Sequence, residues 1–178
     1  MIGLTRHRPH REPAIRSHEL TLGRSFGVAF DHGEDFFTTL AGFCQQHHVR
    51  HAYIPGFIAG FSEVRIVGTC DKPDDPDAPI WSGVHLTNVE ALGSGTLAYD
   101  EANDQVHPHI HVSVGLKTHS ATAYTSHLLQ AQVQFLTEML IIEVTSPELL
   151  RHRNTDLYNV PQLHFGRHKT SPTPSKEN

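Results

Sequence analysis

Two histidines separated by a single residue, His109 and His111, are the side chains of this sequence best suited to metal chemistry. They lie in the segment HPHIHVSVGL, where apolar residues alternate strictly with other residues, and this alternation predicts a β-strand. Successive side chains of a strand point to opposite faces, so both imidazoles share one face with Cα atoms roughly 7 Å apart. Neutral imidazoles at that spacing suit two ligands of one divalent ion, of which zinc fits best.

A third ligand is needed, because two imidazoles bind a metal ion weakly. His127 begins the next apolar segment, and the intervening stretch is long enough for that strand to return antiparallel beside the first. Three histidines would leave at least one coordination position open, the arrangement in which zinc proteins hold water, substrate or an anion. His107 is a substitute ligand beside a proline that bends the chain, and His119 is expected in a solvated turn.

The spacing alone also allows a simpler interpretation, in which these histidines are polar residues on an exposed strand face beside Ser113. The chain has 16 histidines in 178 residues, so roughly one His-x-His pair is expected by chance. Spacing by itself therefore supports the metal site and the solvated face equally.

The composition is that of one globular domain. Apolar residues make up 38% of the chain and charged residues 19%, with a net charge of −5, so the sequence has no strong general attraction to nucleic acid. The N-terminus lacks the apolar region of a secretory signal, and no stretch approaches the roughly 20 apolar residues that span a bilayer. These features predict a cytoplasmic protein that does not enter a membrane. Two cysteines, Cys44 and Cys70, cannot form a disulfide framework, and Cys44 is expected to be a small buried apolar residue.

Three parts follow one another along the chain. Residues 1–16 are basic and lack apolar periodicity, which predicts a flexible arm, and residues 167–178 form a similar polar tail. Residues 17–166 are the globular domain. Within it, Phe36, Phe37, Leu40, Phe43 and Cys44 have helical spacing, and the acidic pair Glu34 and Asp35 precedes them, as expected at the positive end of a helix.

The rest of the domain is predicted to be strands. The pattern gives a first strand through Leu20 to Phe30, strands on each side of a glycine-rich turn at 55–61, and two strands about a Gly-Ser-Gly bend at 93–95. The segment HLLQAQVQFLTEMLIIEV is predicted as two strands joined near Thr137 and Glu138. The segment DKPDDPDAP is an acidic surface loop, for which a calcium loop is a weaker alternative because proline interrupts the ligand spacing.

The sequence resembles the plant and prokaryote conserved (PPC, also PCC) domain over about residues 18–165. The resemblance rests on four pieces in order: Gly33-Glu34-Asp35 opening a helix that ends in Phe43-Cys44-Gln45-Gln46-His47, the segment Pro55-Gly56-Phe57-Ile58-Ala59-Gly60-Phe61, the segment Val89-Glu90-Ala91-Leu92-Gly93-Ser94-Gly95-Thr96-Leu97, and Pro108-His109-Ile110-His111 followed by Ser126-His127-Leu128.

The resemblance implies a small α/β (α+β) domain of mainly antiparallel sheet with few helices, assembled as a homotrimer. It also implies that His109, His111 and His127 bind the metal. Two departures from the family pattern affect the shape of the site. Thr125-Ser126 replaces a pair of glycines before the third histidine, and Pro55-Gly56-Phe57-Ile58 replaces a Ser-Gly-x-Gly turn.

Three classes of function are compatible with these features. The first is a regulatory or ligand-binding module that binds a metal and takes a small anion or a protein at the open position. The second is DNA binding, although Arg6-His7-Arg8-Pro9 lacks the glycine of the Arg-Gly-Arg-Pro motif that lies in the minor groove. The third is a metal-dependent hydrolase or lyase, for which Glu90 and Glu143 are the candidate acid or base residues.

Overall fold

The structure is a computed structural model that describes residues 15–68 and 82–166. Its elements in chain order are β1 (Thr21–Asp31), α1 (Phe36–His47), β2 (Ala52–Gly68), β3 (Ser82–Asp100), β4 (Gln105–Leu116), β5 (Thr122–Ser146), β6 (Leu149–Asn154) and β7 (Val160–Phe165). Short 3₁₀ turns follow β4 and β6. Most of the predicted arm, the predicted tail, Cys70 and the DKPDDPDAP loop with its calcium alternative lie outside the described residues.

The seven strands form one sheet that closes on itself. Both β3 and β5 pair antiparallel with β2 on one side and with β4 on the other. On the outer side, β1 pairs with β5, and the antiparallel hairpin of β6 and β7 joins β3 through one parallel bridge between Tyr99 and Leu150. The expected domain of mainly antiparallel sheet with few helices is confirmed.

Helix α1 begins and ends where capping chemistry allows. The Asp35 carboxylate accepts a hydrogen bond of 2.8 Å from the backbone N–H of Thr38, which satisfies one of the free donors of the first turn. At the other end, His48 adopts the left-handed conformation and its N–H bonds back to the last turn. The predicted helix is therefore confirmed. Among the described residues, no helix is long and apolar enough to cross a membrane.

The apolar face of α1 covers the inner side of the sheet. Its Phe36 and Leu40 are fully buried, and the Phe36 ring contacts the rings of Phe30, Phe57 and Phe61 from β1 and β2. Cys44 lies in the same core, as predicted, and burial raises the pKa of its thiol to about 11. The thiol is therefore protonated and unreactive at neutral pH.

Two predicted strand breaks are wrong, because β2 and β3 each run unbroken. The segment 55–61, expected to turn, continues β2 with only a register shift between Ile54 and Phe57. The segment 93–95, expected to bend, continues β3. Its Gly95 lies where β3 comes so close to β4 that an added Cβ would collide with the carbonyl oxygen of His109. Here glycine serves close packing of strands and not a change of direction.

The predicted joint near Thr137 and Glu138 is also wrong, because β5 is one strand of 25 residues. The irregularity lies slightly earlier, at Phe135, whose φ of 72° is left-handed, and the register with β2 shifts there. Opposite it, an added Cβ on Gly60 would collide with the carbonyl oxygen of Gln134. The strand bends at this bulge without breaking, and can therefore serve three partner strands along its length.

Candidate metal centre

Strand β4 separates an apolar face from a histidine face, as predicted. Its Ile110, Val112 and Val114 are almost completely buried in the core. The alternate positions, His109 and His111, project to the opposite face. The apolar side therefore anchors the strand, and the two imidazoles are held on a backbone that packing already fixes.

The third histidine comes from the strand that returns beside β4. In the antiparallel pairing of β4 with β5, His127 is the register partner of His111. All three imidazole rings lie with centroids 5.1 to 5.4 Å apart. One ring nitrogen from each residue falls within 4.8 Å of the others. The structure thus brings together the three histidines predicted from the sequence.

The geometry of these nitrogens fits a transition-metal ion. The Nε2 atoms of His109 and His111 are 3.2 Å apart. Two nitrogens bound tetrahedrally at about 2.0–2.1 Å from zinc would be separated by about 3.3–3.4 Å. The third nitrogen, within 4.8 Å, needs only a small side-chain adjustment. An all-imidazole donor set suits zinc, and also cobalt, nickel or iron.

The electrostatics of the site keep the imidazoles of His109 and His127 neutral. Burial, followed by the nearby positive charge of Arg151, lowers the pKa of His109 to about 4. Burial also lowers the pKa of His127, and the neighbouring His111 and His107 add to that effect. Neutral imidazole has a free lone pair, so His109 and His127 are ready to donate to a cation at neutral pH.

A cavity of about 590 Å³ opens over the three histidines. Ser126, which replaces a glycine of the family pattern, lies in its wall, and the hairpin of β6 and β7 forms the opposite side. The other lining residues are Val67, His107, Arg151, Arg153, Tyr158, Asn159, Val160 and Pro161. No carboxylate side chain occurs among the lining residues that the structure describes. The described lining of the cavity therefore combines arginine side chains with apolar ones.

Arg151 is the main residue of the site that was not predicted from the sequence. The residue is only 7% exposed, and its Nη2 donates a hydrogen bond of 2.5 Å to Thr96 Oγ1. Thr96 is itself the register partner of His109, so Arg151 reaches across β3 to the edge of the histidine cluster. The signal was present, because Arg151 and Arg153 alternate in LLRHRN, a pattern that places both on one strand face.

The alternative ligands occupy different positions. His107 lines the cavity, and its Nδ1 is buried without a hydrogen-bond partner, but it lies outside the three-nitrogen cluster. His119 is exposed in the 3₁₀ turn after β4, as expected of a solvated residue.

The two candidate acid or base residues lie away from the cavity. Glu90 forms a 2.7 Å ion pair with Lys117, and Glu143 forms one of the same length with Arg24. Neither glutamate lines the cavity over the histidines. Glu143 therefore fastens β5 to β1, and Glu90 is a surface residue of β3.

The fold recurs in solved structures of prokaryotic proteins. A plant- and prokaryote-conserved (PPC) protein of Pyrococcus horikoshii superposes with a TM-score of 0.70 at 18% identity, covering 84% of this chain and 97% of the other. A metal-containing protein of Archaeoglobus fulgidus superposes with a TM-score of 0.69 at 20% identity, covering 84% of this chain and 99% of the other. A protein of Bacteroides thetaiotaomicron, named as a candidate DNA-binding protein, superposes with a TM-score of 0.64 at 21% identity, covering 84% of this chain and 100% of the other. At these identities the likeness concerns the fold alone.

The sequence itself carries the family assignment. No curated protein matches it significantly. The model of the Plants and Prokaryotes Conserved (PCC) domain matches residues 17–145, which include α1, strands β1 to β4 and all three histidines. That match covers well over half of the chain and agrees with the resemblance noted in its motifs. This chain belongs to the Plants and Prokaryotes Conserved (PCC) domain family.

Proposed function

We propose that this protein is a regulatory or ligand-binding module that holds one divalent metal ion, most suitably zinc, on His109, His111 and His127. The observation that carries the proposal is the convergence of three ring nitrogens within 4.8 Å on the wall of a cavity. The polar-face alternative gives no reason for three imidazoles to converge in this way. When bound, the ion would supply a positive charge and an open coordination position facing the cavity.

The residues around the ligands favour a small anion as the molecule that occupies the cavity. The guanidinium groups of Arg151 and Arg153 line it, and no described lining residue is acidic. An anion would offset the positive charge that the arginines concentrate in a partly buried space. Catalysis is less well supported, because Glu90 and Glu143 are engaged elsewhere.

An exposed apolar face supports assembly of the chain with copies of itself into a homotrimer. This face consists of large apolar side chains from β2, β3 and β5 that are 43–65% exposed: Ile58, Leu92, Phe135, Leu136 and Leu140. Two shallow depressions share Ile58 and Leu92, so the residues form one continuous surface. Apolar patches of this kind mark sites of protein association.

DNA binding is the second candidate, and it is favoured by the name of the Bacteroides protein with the same fold. The net charge of −5 opposes general attraction to phosphates. Three of the four arginines of the predicted arm, Arg6, Arg8 and Arg11, lie outside the described part of the chain. We therefore rank DNA binding below metal and anion binding.

Elemental analysis tests the proposed metal site. The protein should be purified without chelator from cultures supplied in turn with zinc, cobalt, nickel or iron. We expect about one ion per chain with at least one of these metals, as three nitrogen ligands allow. A protein that is empty under every supplement would refute the proposal.

A further inference from the structure

We propose that Arg151 binds the carboxylate group of a small organic acid in the cavity over the three histidines, and that Arg153 guides the acid in at the rim. The inference deepens the proposed function and rests on it for the contact between ligand and ion. The contact between ligand and Arg151 can be measured separately.

Arg151 is a buried cation with an unused donor. Its guanidinium is charged at any physiological pH. The residue is nevertheless buried, with only 7% of its surface exposed to solvent. Thr96, a neutral group, accepts from Nη2, whereas Nε is buried and has no hydrogen-bond partner among the described atoms. Burying a charge is costly unless an opposite charge or enough hydrogen bonds compensate it. The cavity beside it contains no described carboxylate that could do so.

The free atoms of Arg151 match a carboxylate in shape. Nε–H and one N–H of Nη2 lie along the same edge of the planar guanidinium, and Thr96 takes only one of the two Nη2 hydrogens. Such an edge donates two parallel hydrogen bonds to the two oxygens of a carboxylate. A second buried atom without a partner, Nδ1 of His107, lies in the wall of the same cavity.

The remaining walls indicate that the anion carries a carbon body. Val67, Val160 and Pro161 form apolar wall, which an inorganic anion would not use. Arg153 lies two residues beyond Arg151, with Cα atoms roughly 7 Å apart on one strand face. Among the described residues its side chain donates one long hydrogen bond, of 3.4 Å, to the carbonyl oxygen of Asn159, so its charge can meet an incoming acid.

Titration calorimetry with the zinc-loaded protein tests the inference. The probes are acetate, succinate and citrate, with neutral succinamide and inorganic phosphate for comparison. We expect at least one carboxylate to bind more tightly than phosphate and succinamide not to bind. Arg151→Gln should weaken the binding of the carboxylate by about 10- to 100-fold, the usual effect of losing hydrogen bonds to a charged group. Arg50→Gln is the matched control, because it removes the same charge from a different surface and should change nothing.

Metal content, measured on the same samples, separates this inference from the proposed function. Full zinc occupancy with unchanged carboxylate affinity in Arg151→Gln would overturn the role of Arg151 and leave the metal site intact. Failure of all three acids to bind the loaded wild type would overturn it as well. If the wild type holds no metal, the proposed function fails, while binding of an acid that depends on Arg151 would still support the inference.

A second variant covers the case in which Arg151→Gln does not fold. Arg151→Lys keeps the buried charge and removes the paired donors. It should weaken carboxylate binding, because the paired donors are lost while the charge remains. Unchanged carboxylate affinity in this variant would show that charge alone is at work and would contradict recognition through the guanidinium edge.

Discussion

His111 and His127 face each other as register partners in the antiparallel pairing of β4 with β5. Side chains at such positions lie on the same face with Cβ atoms about 4.5–5.5 Å apart. His109 follows on the same face of β4. The candidate ligands are therefore placed by sheet register and not by loops, which is the arrangement that holds a constellation of side chains most firmly.

Replacing His109, His111 or His127 singly with Ala should remove most of the bound metal, because two imidazoles bind weakly. His119→Ala is the control and should keep full occupancy, since that side chain is exposed outside the cluster. Circular dichroism should show that all four variants fold, as the apolar face of β4 is untouched. Elemental analysis decides the outcome. Full occupancy in His127→Ala would place the third ligand elsewhere, with His107 as the next candidate.

Metal should be retained at lower pH than free imidazole would permit. Protons compete with metal for the ring nitrogens, and an unperturbed histidine, with a pKa of about 6.5, would begin to lose its metal near pH 6. Burial lowers the pKa of His127 and brings that of His109 to about 4, so protonation of both requires more acid. Dialysis across pH 7 to about 4, followed by elemental analysis, measures the midpoint. Loss of the metal above about pH 6 would contradict this expectation.

Gly95→Ala should disturb both the fold and the metal site. The added Cβ would meet the carbonyl oxygen of His109 and the backbone of Ile110, so β3 and β4 must separate. We expect a loss of about 1–3 kcal/mol in the free energy of unfolding, measured in urea, together with weaker metal binding. Gly27→Ala in β1 is the matched control, because nothing lies within 4 Å of its added Cβ. Equal stability of both variants would argue against the close approach at Gly95.

Light scattering should give a mass of about three times 19.9 kDa. Leu92→Glu, in the exposed apolar face, should shift the protein toward monomers, because an unpaired carboxylate in an interface costs several kcal/mol. Leu157→Glu introduces the same charge at a side chain of comparable exposure outside that face, and should leave the mass unchanged. A monomeric wild type at micromolar concentration would contradict the homotrimer.

Duplex DNA should bind weakly, without sequence preference, and with a steep loss of affinity as salt increases. Such binding would come from the arginines of the predicted arm, so deletion of residues 1–16 should abolish it. Fluorescence anisotropy with labelled duplexes of different sequence measures both effects. Tight, sequence-dependent binding by the truncated protein would instead place a DNA surface on the domain.

The sequence was sufficient to predict an element and its buried face where the local pattern of apolar residues was regular. Helix α1 and strand β4 carry clean periodicities, so their faces, and the pairing of His109 with His111, could be predicted. The unbroken course of the long strands β2 and β3 could not be predicted in this way. Glycines usually mark turns, but here they allow close approach of neighbouring strands, as at Gly60 and Gly95. That distinction depends on tertiary packing and leaves no local pattern.

The other half of the site was also hidden from the sequence. The alternation of Arg151 and Arg153 indicates a shared strand face, but not what that face meets. The hairpin of β6 and β7 is placed beside β3 through one parallel bridge, at Tyr99 and Leu150, and no local signal predicts a contact so distant in sequence.

The order in which the chain is synthesised matters for a fold of this connectivity. Strand β1 is translated before the other described strands. Among them it pairs only with the second half of β5, from Thr21 with Ser146 to Asp31 with Leu136. More than a hundred residues must be translated before β1 has a partner. Until then its edge is unpaired and open to aggregation. Folding should therefore be slow for the domain's size, since closure of the sheet depends on contacts with high contact order.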